Sequence, residues 1–138
     1  MSTIQFYPTK RFLTLLFFSL SALVYCQQSI CNVSLEHMKS HLKILSSDAM
    51  EGRETGTPGI EKAAKYLENE YQRMGLKPTR QWYKLPDNSG KACNIIAKIE
   101  GKSKPTEFVV VSAHYDHLGI INGEIYNGAD DNGSGTAS

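Results

Sequence analysis

Apolar side chains first recur at helical spacing between residues 34 and 45, where Leu35, Met38, Leu42 and Leu45 stand at i, i+3, i+7 and i+10. That spacing puts them on one face of a helix, and Ser34 just before them is an N-cap residue type. Residues 46–56 are polar and contain two glycines, which predicts a loop. A second helix is predicted to begin at Thr57-Pro58, a threonine N-cap followed by proline at the first helical position. Ile60, Ala63, Ala64, Leu67, Tyr71 and Met74 line its apolar face and Gly75 supplies a left-handed end. Glu61, Lys65, Glu68, Asn69 and Arg73 form the opposite face, which reads as solvated surface.

Beyond Pro78 the helical period disappears. A short strand is predicted around Trp82, a turn over residues 86–90, and a strand over residues 94–99, where Ile95, Ala97 and Ile99 share one face. Residues 100–105 turn the chain, and residues 108–113 form a continuous apolar run. Such a run predicts a strand covered on both faces in the middle of a sheet packed between helix layers. No repeat or long linker divides the chain, so the pattern predicts a single α/β domain.

The first residues have a different character. Lys10 and Arg11 precede an apolar run over residues 12–25, and no acidic residue occurs before Glu36; this is the layout of a secretory signal peptide. The run has 14 residues, against about 20 for a bilayer-spanning helix, so no stable membrane span is expected. Residues 1–26 are read as the leader and residues 27–138 as the mature domain, starting at Gln27, which implies a secreted or periplasmic protein. Lipid modification of Cys26 is disfavoured by the bulky Tyr25 before it. Removal of the leader leaves Cys31 and Cys93, which allow one disulfide in an oxidising compartment or two unpaired thiols. Asn32-Val33-Ser34 and Asn132-Gly133-Ser134 are glycosylation sequons of the kind that also arise by chance. A net charge of +1 with dispersed Lys and Arg provides no basic face for phosphates, so nucleic acid is not an expected partner.

Chemistry-bearing residues gather at the end of the predicted buried strand, which runs directly into His114-Tyr115-Asp116-His117. Asp131 follows 17 residues after His114, within Gly128-Ala129-Asp130-Asp131-Asn132-Gly133-Ser134-Gly135. Ligands of open α/β sheets bind at the carboxyl ends of strands. His114 and Asp116, two apart on an extended chain, point to the same side, which suits a metal-binding imidazole whose other nitrogen is held by a carboxylate. The glycines beside Asp131 permit close backbone approach. Zinc accepts both imidazole nitrogen and carboxylate oxygen.

These two segments, together with residues 45–59 containing Glu51-Gly52-Arg53-Glu54-Thr55-Gly56-Thr57-Pro58-Gly59, resemble the zinc exopeptidase family that contains bacterial leucyl aminopeptidases, aminopeptidase Y and glutamate carboxypeptidase. The resemblance extends from about Leu35 onward and implies a zinc-exopeptidase (phosphorylase/hydrolase-like) fold, a partly parallel sheet flanked by helices. It also implies that His114 ligates one zinc, that Asp116 serves catalysis by orienting His114, and that Asp131 bridges two Zn2+ ions. Asp130 stands where relatives carry Asn or Asp and is not taken as a ligand; His117 is expected to support the loop. Peptides are the implied substrates, and the implied activity is that of an aminopeptidase. The family's general-base Glu, its neighbouring ligand Glu, and its Asp and His ligands follow the Asp131 motif, so a chain ending at Ser138 is expected to be an incomplete, inactive piece. A metallo-β-lactamase-like hydrolase shares the His-x-Asp-His half of its signature, but Ser112 stands where its first His is needed and the Asp131 loop is left without a role. A non-catalytic binding protein on the exopeptidase fold is a further alternative, against which the intact His114, Asp116 and Asp131 count.

Overall fold

The computed structural model describes residues 34–87 and 89–138. The predicted leader, Cys26, Cys31 and the Asn32 position of the first sequon lie outside those residues. Helix α1, Leu35–Leu45, begins at the expected cap, where Ser34 Oγ accepts a hydrogen bond from the His37 N–H at 3.3 Å. Its apolar face is unevenly covered: Leu45 is 1% exposed, whereas Leu35 is 61% exposed. The C-terminal end is therefore what anchors α1, packing Leu45 with Met50 and Ala63.

The predicted loop after α1 is more ordered than its composition suggests. It forms a short 3-10 helix, Asp48–Arg53, kinked at Glu51 and Gly52, whose φ values are 53° and 65°. Helix α2, Pro58–Arg73, carries Pro58 at its start as expected, with Thr57 extended before it. The Thr57 hydroxyl, however, donates to Glu54 O at 2.6 Å and does not cap the helix. Ala63 and Ala64 are fully buried; their small side chains let α2 lie close to the 3-10 turn. The far end closes as a Schellman motif around Gly75 (φ 78°), with Gly75 N–H donating to Gln72 O and Leu76 N–H to Tyr71 O, both at 2.9 Å.

Strands β1, Thr79–Lys84, and β2, Lys91–Ile96, form an antiparallel hairpin in register from Thr79↔Ile96 to Lys84↔Lys91. Arg80 fixes the hairpin to α2: it donates to Glu68 Oε1 at 2.8 Å and Oε2 at 3.1 Å, and to Glu61 Oε2 at 2.7 Å. The strand expected over residues 94–99 thus begins earlier and stops at Ile96, leaving Ile99 80% exposed. A second small hairpin pairs β3, Gly119–Ile121, with β4, Glu124–Tyr126. Asn122 and Gly123 form its turn with φ of 53° and 84°, the conformation for which Asn-Gly is preferred in a two-residue hairpin. The chain then passes through a wide turn, Ala129–Gly133, into the short helix α3, Ser134–Ala137.

One expectation is overturned. Residues 108–113 do not form a buried strand: Val109, Val110 and Val111 are 95%, 83% and 94% exposed. A strand is held by ladder partners on its edges and cover on its faces, and neither hairpin supplies them. Among the described residues the pairing is antiparallel in two two-stranded sheets. Helices with small sheets are compatible with an α/β architecture, but the expected parallel pairing is not among them. No described helix is long and apolar enough to cross a membrane.

Candidate functional site

The segments ending in His114-Tyr115-Asp116-His117 and in Asp131 meet. His114 Nδ1 lies 3.2 Å from both Asp116 Oδ1 and Asp116 O. An ionised carboxylate and a carbonyl can only accept, so Nδ1 carries the donated proton. The other ring nitrogen, Nε2, faces Asp131 Oδ1 at 3.1 Å. A neutral imidazole with its proton on Nδ1 presents a lone pair at Nε2, and a lone pair opposed to a carboxylate oxygen at that distance is favourable only with a proton or a cation between them. Asp131 Oδ2 stands 3.6 Å from His117 Nδ1, so the two oxygens of one carboxylate face different imidazoles. The Asp131–Asn132 peptide bond is cis. The His117 ring rests against Gly128, where an added Cβ would collide with it. Asp130 is exposed, and its carbonyl accepts from Ser134 Oγ at 3.1 Å.

The largest surprise is Arg53, 1% exposed and read from sequence as part of a polar loop. Its Nε donates to Tyr115 O at 2.9 Å, its Nη1 to Asn127 O at 2.7 Å and to Leu45 O, and its Nη2 to Gly128 O at 2.8 Å. Its own carbonyl accepts from His117 N–H at 3.0 Å. One side chain thereby ties the end of α1 to both loops that carry the site. Burial pushes the Arg53 pKa below its ordinary value, while Asp116 and Asp131 nearby act in the opposite direction. Gly52 packs under β3 and β4, where a Cβ would collide with Gly119 O and Tyr126 O. Further contacts complete the support: Thr55 Oγ1 donates to Asp116 Oδ2 at 3.1 Å and Thr136 Oγ1 to His114 O at 2.8 Å. Tyr115 donates through its hydroxyl to Cys93 O at 2.8 Å, and burial, then hydrogen bonding to Cys93, pushes its phenol pKa up. Cys93 itself is buried, and its thiol is unpaired among the described residues.

Residues 94–138 match the family model of Peptidase family M28. This is a family of zinc metallopeptidases, and the match supports a metallopeptidase function. It covers about a third of the chain. No curated protein and no solved structure matches the chain. The M28 match takes in His114, Asp116, His117 and Asp131; Arg53 and Thr55 lie before it, yet pack against the part that matches.

Whether these residues suit zinc can be judged from their donor atoms. Two ligands about 2.0–2.1 Å from a tetrahedral zinc stand roughly 3.3 Å apart. The 3.1 Å between His114 Nε2 and Asp131 Oδ1 fits that spacing, and the contact at His114 Nδ1 leaves Nε2 as the free donor. Among the described residues no group of three or more His, Cys, Asp or Glu side chains is disposed to hold a metal ion. The fit therefore extends to a pair of ligands.

Proposed function

We propose that this chain carries part of the two-zinc centre of a secreted exopeptidase that removes N-terminal residues from peptides. The observation that carries this reading is the opposition of His114 Nε2 and Asp131 Oδ1 at 3.1 Å, inside the stretch that matches peptidase family M28. His114 would hold one ion through Nε2, and Asp131, whose second oxygen is turned toward His117, would hold both. Zinc bound there supplies Lewis-acid polarisation of a scissile carbonyl and brings the pKa of water toward neutrality. Asp116 keeps the His114 proton on Nδ1, and Gly128 lets the Asp131 loop approach the His117 ring closely. The apolar run behind Lys10 and Arg11 supports export through a leader of residues 1–26.

Zinc titration of the 138-residue chain, with competition against a chromophoric chelator, tests the ligand assignment. His114→Ala and Asp131→Ala should each abolish measurable zinc binding, since each removes one of the two donors that fit. In an active enzyme carrying this sequence, release of nitroaniline from leucine p-nitroanilide but not from its N-acetylated form distinguishes an aminopeptidase from an enzyme acting elsewhere on the chain. Wild-type zinc affinity in Asp131→Ala overturns the assignment, and an active enzyme that cleaves the N-acetylated substrate, or neither of the two, overturns the aminopeptidase reading.

A further inference from the structure

Asp116 can orient His114 only if its own carboxylate is held. The terminal torsion of an aspartate is broad and roughly two-fold, and the Asp116 side chain is 50% exposed, so water competes for it. Oδ1 is used by His114 at 3.2 Å, while Oδ2 accepts the Thr55 hydroxyl at 3.1 Å. Two anchors on opposite oxygens fix the carboxylate plane, which one would leave free to turn.

Thr55 is well placed to be the fixed end of this chain of contacts. It stands two residues after Arg53, whose guanidinium is buried on the carbonyls of Tyr115, Asn127 and Gly128 and whose own carbonyl accepts from His117 N–H at 3.0 Å. The backbone carrying Thr55 is thus tied to the loop that carries Asp116. On the other side, Thr136 holds the His114 carbonyl at 2.8 Å, so the main chain of His114 is restrained independently and its ring is left to Asp116.

We propose that Thr55 is a positioning residue for His114, acting through Asp116 to direct the imidazole Nε2 toward the zinc-binding position beside Asp131. The proposal rests on the zinc reading above. It places a determinant of that centre outside residues 94–138, the stretch that matches the family model.

The test is zinc affinity of the full 138-residue chain at one fixed pH, measured for the wild type, Thr55→Val, Thr55→Ser, Asp116→Ala and the Thr55→Val/Asp116→Ala double variant. Loss of contacts that orient a metal ligand weakens metal binding by about 10–100-fold. Thr55→Val, which keeps the shape and loses the hydroxyl, should weaken zinc about tenfold with an unchanged thermal midpoint, and Thr55→Ser should restore most of that affinity. In the Asp116→Ala background the same Thr55→Val change should have no further effect. Wild-type affinity in Thr55→Val, or an equal loss with and without Asp116, overturns the positioning role while leaving the zinc reading in place. If His114→Ala and Asp131→Ala also bind zinc as the wild type does, the zinc reading falls and this inference with it.

Discussion

Replacing Arg53 with methionine removes every donor from a buried position while keeping most of the side-chain volume. The carbonyls of Leu45, Tyr115 and Asn127 lose the donor that Arg53 supplies, whereas Gly128 O keeps the Gly133 N–H at 3.1 Å. A buried acceptor left without a donor costs about 1–3 kcal/mol, so three of them give at most about 3–9 kcal/mol, and the value falls toward the lower end because the bonds to Tyr115 O and Asn127 O are only partly buried and open to water. A gain from relieving the desolvated charge offsets part of this, since burial already pushes the Arg53 pKa down. A net loss of about 3 kcal/mol is a large share of the 5–15 kcal/mol typical of a domain, and at about 4–8 °C per kcal/mol lowers the melting temperature by more than 10 °C. Thermal unfolding followed by circular dichroism, with urea titration as a check on slope and midpoint, measures it. A drop of less than about 4 °C would mean that the four carbonyl contacts are replaced by water at little cost, and that Arg53 does not hold the two loops together.

The Arg80 network makes a prediction about acid. Hydrogen bonding to Arg80 lowers the Glu68 pKa against the opposing effect of burial, so its stabilisation is complete above the unfolded value of about 4.3 and is lost as pH falls through the folded value. Glu68→Gln should therefore cost about 1 kcal/mol near neutrality and progressively less below about pH 4; urea midpoints showing the same cost at pH 6 and pH 3 would contradict the coupling. Export is tested by mass spectrometry of the secreted product, which should begin at Gln27; a product retaining residues 12–25 would point to an anchored form.

The two main helices were legible because their burial follows their own period. Ala63 and Ala64 fall on the predicted face and are buried, and Gly75 ends α2 in the left-handed conformation expected of it. Leu35 obeys the same pattern and is exposed, since periodicity gives the direction of a face and not the extent of what covers it. Residues 108–113 show the same limit for strands: hydrophobicity predicts that a run would be buried in a sheet, but pairing depends on residues elsewhere in the chain. The β3–β4 hairpin was missed although Asn122-Gly123 is a recognised turn signal, because strands of three residues leave too little alternation to read. At the site, residue types and motif spacing pointed to His114, Asp116 and Asp131, and the fold brings all three together. Arg53 was illegible for a different reason: its partners are main-chain carbonyls, which leave no trace in side-chain composition, and apart from Leu45 they are more than 60 residues away.

That difference bears on what a match over residues 94–138 implies. His114 and Asp131 sit on two irregular loops that no described ladder joins, and an irregular loop keeps its geometry only when its backbone groups are satisfied. Here the satisfying groups come from upstream: the guanidinium of Arg53 binds the carbonyls of Tyr115, Asn127 and Gly128, and Gly52 permits close packing under β3 and β4. The 3.1 Å separation of His114 Nε2 and Asp131 Oδ1 is thus a property of the upstream segment as much as of the loops bearing these two side chains. A chain that kept both metal-type side chains but changed Arg53 or Gly52 would retain the motifs and lose the spacing, so sequence similarity confined to the matched stretch supports a metallopeptidase function without guaranteeing the geometry that it requires.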